Sequence, residues 1–140
     1  MNHSRLMIVN DYNRPHELLL LGLSVITGAS YLFGTPPPGS ITALMPKWQI
    51  IIWSIGLLMS GCFGLFGCLY KQNIELALTI EGSSMLIGAG SLLIPAVFSL
   101  TIGGSRAFLA AGTSAAWLLA NLWRALQIRQ NLKQIRTHYE

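Results

Sequence analysis

Residues 74–100, IELALTIEGSSMLIGAGSLLIPAVFSL, form an apolar run with a carboxylate, Glu81, inside it. The run is long enough to cross a bilayer, which takes roughly 20 residues. A charge within such a segment costs at least about 2–3 kcal/mol unless the fold answers it with a partner. The chain must therefore fold so that a cation reaches Glu81. At about 1.5 Å per residue a helix over 74–100 spans roughly 40 Å, more than the hydrocarbon layer needs. Its first turns then project towards the headgroups and bring Glu81 closer to water.

Three other apolar stretches accompany it, at 17–34, 48–70 and 107–127, and a polar tail follows at 128–140. Of the 140 residues 52% are hydrophobic and only 10% charged, against about 25% charged in a soluble domain. The expectation is an all-α polytopic membrane protein: one domain, four transmembrane helices and a cytoplasmic C-terminal helical extension. The formal charge of +4 comes from basic residues scattered over the flanks of the apolar stretches, a pattern that suits membrane topology better than a nucleic-acid surface. Cys62 and Cys68 sit six residues apart in one stretch and point to different helix faces, so no disulfide is expected between them.

The first stretch begins just after Pro15, a residue suited to a first helical turn. No small-residue cleavage site follows it, and the span is read as retained. His16 and Glu17 are read as interfacial flanking residues rather than a proton-handling pair. Residues 35–47, with three consecutive prolines and Pro46, cannot continue a helix. They are read as a connector in which SITALM makes one surface turn.

The second stretch has aromatic residues at both ends, Trp48 and Trp53 at one and Tyr70 at the other, as at two membrane interfaces. Its interior is crowded with small residues: Gly56, Ser60, Gly64 and Cys68 recur every four positions. In lipid such a face lets two backbones approach closely and pack by dispersion. In the fourth stretch Gly112 and Ala116 repeat the spacing and are expected to join the same helix contacts. The short turn 71–73 forces the second and third helices into an antiparallel pair. Pro95 is expected to loosen the last turns of the third.

Beyond Arg124 no Gly or Pro stops the fourth helix, and Ile128, Leu132, Ile135 and Tyr139 form a heptad-like seam. The seam predicts pairing with other copies, a protein partner at the tail, or adhesion to the anionic membrane surface. Arg5, Arg14, Lys71, Arg124, Arg129, Lys133 and Arg136 flank one side of the four stretches, whereas Lys47 and Arg106 flank the other. The excess places both termini in the cytoplasm. It also puts Arg124 at the depth of Glu81, so a Glu81–Arg124 ion pair across adjacent helices is the leading expectation. The alternative is that Glu81 lines a polar path for protons or cations.

No Cys/His or Ser/His/Asp arrangement occurs inside the apolar stretches, the histidines lie near the chain ends, and neither an enzyme nor a cofactor or metal site is expected. The short flank RPHELLL, the loop TPPPGSITALMP and the closing WRALQIRQNLKQIR resemble the small polytopic membrane proteins encoded by tailed phages of actinobacteria, some of them assigned as holins. The resemblance implies self-association in the cytoplasmic membrane and timed permeabilisation. It carries over no functional residue. The alternative function is a non-permeabilising anchor that binds partners through its basic tail and proline-rich loop.

Overall fold

A computed structural model describes residues 15–37, 39, 45–70, 72–103 and 107–137, apart from the side chain of Arg136. Four helices account for nearly all of them: α1 (Pro15–Leu32), α2 (Lys47–Leu69), α3 (Ile74–Thr101) and α4 (Phe108–Thr137). The fold is all-α, and two of the helices, α2 and α3, are long and apolar enough to cross a membrane. Each helix packs against the next in sequence. The surface turn expected in SITALM lies outside the described residues except for Met45, which is buried, and Tyr139 of the tail seam lies outside them altogether.

Local chemistry explains the helix ends. At the end of α1, Gly34 takes φ 118°, and Thr35 N–H donates back to the Ser30 carbonyl at 2.9 Å. That is a Schellman closure, whose left-handed residue favours glycine. Asn73 caps α3 through its side chain, which accepts the Leu76 N–H at 3.2 Å. Pro95 does not end α3; the helix continues to Thr101 with Pro95 buried.

The small residues of α2 serve two neighbours. Towards α3, Gly67 faces the backbone of Glu81 and Ala77, Gly64 faces Ser84, and Gly56 faces Ser91. Ser60 donates to the Ser84 carbonyl at 2.8 Å. Towards α1, Gly61 lies on the backbone of Leu21 and Val25, and Gly28 of α1 lies on the backbone of Ser54 and Leu58. Both pairs are antiparallel, with backbones close enough that a β-carbon would collide. Cys68 is half-buried beside the cluster of Leu21, Met85 and Ala125.

Two sequence-based expectations are corrected. Gly112 and Ala116 take no part in the helix contacts of one chain: both are exposed, and a β-carbon at Gly112 would meet nothing within 4 Å. The face of α4 turned to the bundle carries Ala111, Arg124, Ala125 and Ile128 instead. Ile128 is not available to a tail seam, because it is 1% exposed and seated on Gly82 of α3. Leu132 and Ile135 are half-buried. Trp53, near the start of α2, is turned into the bundle. It packs with Leu57 and Leu92, and its ring lies 5.4 Å from that of Tyr31.

Replacing Gly67 by alanine puts a methyl group 2.9 Å from the Glu81 backbone nitrogen, an overpacking expected to cost about 1–3 kcal/mol. Gly112→Ala should cost nothing. Unfolding of both variants in mixed micelles measures the contrast, and equal effects would contradict the assignment of faces.

Candidate functional site

Four helix ends meet at one end of the bundle. Because neighbours run antiparallel, the start of α1, the end of α2, the start of α3 and the later half of α4 lie together. Glu81 is seven residues, about 10 Å, along α3, and is 1% exposed. Arg124 of α4 is also buried. Its Nε and Nη2 donate to Glu81 Oε1 at 3.0 and 2.8 Å. Glu17, in the first turn of α1, brings Oε1 to 3.3 Å from the same Nε.

The structure thus brings Glu81 and Arg124 together and adds Glu17, which the sequence reading left as a flanking residue. Nothing local in the sequence marks Glu17 for this role, since an acidic residue in the first turn of a helix is ordinarily explained by the helix dipole alone. Leu21, Met85 and Ala125 pack as an apolar cluster, with Leu65 and Cys68 against it. In such surroundings a guanidinium suits the task, since its planar fork keeps its charge and serves several acceptors at once. Serines continue the polar interior: Ser84 donates to the Glu81 carbonyl at 2.7 Å, and Ser24, Ser54 and Ser91 return their hydroxyls to carbonyls one turn back on their own helices.

Between α1 and α4 a cleft remains. It has a volume of about 710 Å³, is floored by Leu21, Ser60 and Met85, and has Arg124 and Glu17 at its charged end. Asn121 also borders it, with its amide close to Gly88, where any β-carbon would collide with it and with Ser60.

No known protein family, curated protein or solved structure matches the chain. Among the described residues no three His, Cys, Asp or Glu side chains converge in a way that could hold a metal ion. The cluster can fix three helices in register and present a charged end to an otherwise apolar cleft.

Of the other small residues expected to mediate contact, Gly56, Ser60, Gly64 and Cys68 lie on the α2 contacts described above, whereas Gly112 and Ala116 do not.

Arg124→Leu removes the guanidinium that Glu81 accepts from and should destabilise the bundle by about 3–5 kcal/mol. Glu81→Leu combined with Arg124→Leu should recover most of that loss, because an apolar pair of similar volume replaces two charges. Glu17→Gln should cost less than either single change at the buried pair. Unfolding titrations of the four variants order these effects; a double variant no better than Arg124→Leu would contradict the pairing energetics.

Proposed function

We propose that this chain is an integral membrane protein of four spanning helices that associates with copies of itself and permeabilises the cytoplasmic membrane, as the holins it resembles in layout do. The observation that carries the reading is the extent of large apolar side chain left on the outside around an interior that is partly polar. Buried positions hold Ser54, Ser60, Glu81, Ser84 and Arg124 beside Leu57, Met85 and Ile128, whereas Leu19, Ile26, Phe63, Leu86, Leu109 and Trp123 stand outside. Lipid tolerates that exterior, and water does not. The exposed apolar residues occur on α1 and α4 as well as on α2 and α3, which supports four spans although only two helices satisfy length and apolarity by themselves. The distribution of Lys and Arg favours cytoplasmic termini.

Self-association draws on α4. Gly112 and Ala116 lie four residues apart and are both exposed, so a second helix can approach there as α2 approaches α3. A specific observation also favours the anchor reading: α4 continues past the buried Ile128 to Thr137, with Arg129 and Lys133 exposed. In that case the bundle positions a basic helix for a protein partner and leaves the membrane intact.

Regulated expression in a bacterium carrying a potential-sensitive dye separates the two. Permeabilisation predicts loss of potential on induction, delayed by Gly112→Leu with Ala116→Leu and unchanged by removal of residues 130–140. A chain that reaches the membrane in quantity without depolarising it contradicts permeabilisation and leaves the anchor as the surviving function.

A further inference from the structure

Side chains leave the cleft between α1 and α4 unfilled, and its shape and chemistry are those of a site for an amphiphile. Its outer wall is apolar and open: Leu119, Leu122, Trp123 and Leu126 all line it, and all are exposed. One end is charged. Arg124 is more than nine-tenths buried and lines the cleft. Of its five N–H groups, Nε and one on Nη2 serve Glu81 and Glu17. Nη1 donates to no acceptor among the described residues. That amino group reaches the open cleft, where its charge suits an anionic acceptor from outside the bundle.

We infer that the cleft seats one zwitterionic aminophospholipid of the surrounding bilayer. Its phosphate accepts from Arg124 Nη1, its ammonium faces Glu17, and an acyl chain runs along Leu122 and Leu119 towards Trp117. The inference rests on the membrane reading above. Three features select this occupant. Glu17 lies in the first turn of α1, so the charged end of the cleft is at a helix end, where headgroups lie. Trp117, seven residues before Arg124, borders the same cleft about 10 Å deeper, where acyl chains lie. A carboxylate 3.3 Å from the guanidinium repels a purely anionic headgroup, whereas an ammonium and a phosphate on one molecule complement both charges.

The test begins with the full chain reconstituted in vesicles of equal phosphatidylethanolamine and phosphatidylglycerol. Flotation first establishes whether the chain resides in the membrane; a chain that does not float overturns the membrane reading itself. For a floating chain, extraction in mild detergent and native mass spectrometry read the retained lipid. One phosphatidylethanolamine per chain is expected, preferred about tenfold over phosphatidylglycerol. Glu17→Gln should bring the two lipids towards parity. Ala120→Trp, a change at an exposed position on the rim, should abolish retention while the helices stay folded. A floating chain that emerges free of lipid, as monomer or as dimer, overturns the site. Retention without headgroup preference, or unaffected by Ala120→Trp, overturns it equally.

Discussion

The interaction on which the rest of this structure depends is the buried contact between the Arg124 guanidinium and the Glu81 carboxylate. A charge at 1% exposure cannot be left unanswered, and its answer fixes where α4 sits along α3. With Arg124 at Glu81, the next turn of α4 puts Ile128 on Gly82, and the previous one puts Asn121 beside Gly88. Gly82 and Gly88 are glycines because α4 brings side chains against them. The same guanidinium then reaches Glu17 and ties α1 to the far side of the bundle across a cleft that side chains do not fill. A buried ion pair is weak as a source of net stability. Its value here is register: it makes other alignments of the helices costly.

Close backbone approach is the second constraint, and it depends on the first. The Glu81 backbone faces Gly67 of α2, so the helix that carries the charge is also the one pressed tightly against its neighbour. Glycine and serine on α2 allow that approach to α3 on one side and to α1 on another. The consequence is an interior in which serines and the ion pair lie between apolar clusters, while many further large apolar side chains stand on the outside. That arrangement suits a lipid environment, where apolar surface gives helices no reason to associate and contact surfaces decide.

Helix number, helix order and Arg124 as the partner of Glu81 were legible in the sequence because each rests on a local rule. Length and apolarity mark the helices, a three-residue turn forces an antiparallel neighbour, and a charge in an apolar run demands a partner. Which face a small residue occupies is a different matter. Gly64 and Gly112 belong to equally regular small-residue patterns, yet one is buried and the other exposed, since the rotation of a helix is set by all its neighbours together. Ile128 shows the same limit: its heptad spacing is real, but Gly82 claims it before any partner can. Glu17 was hidden by its position, because a carboxylate in a first turn usually faces water and only the meeting of four helix ends turns it inwards. The cleft had no sequence signal at all, being the space left where α1 and α4 fail to meet.

The central claim is that Glu81 and Arg124 are in direct contact within the folded chain. Solid-state nuclear magnetic resonance on the protein in lipid bilayers, with carbon-13 at the Glu81 carboxyl and nitrogen-15 in the Arg124 guanidinium, reads that contact without perturbing it. Strong carbon–nitrogen dipolar dephasing is expected from hydrogen bonds of 2.8 and 3.0 Å. Helical, bilayer-inserted protein that shows no dephasing between these two groups would contradict the account.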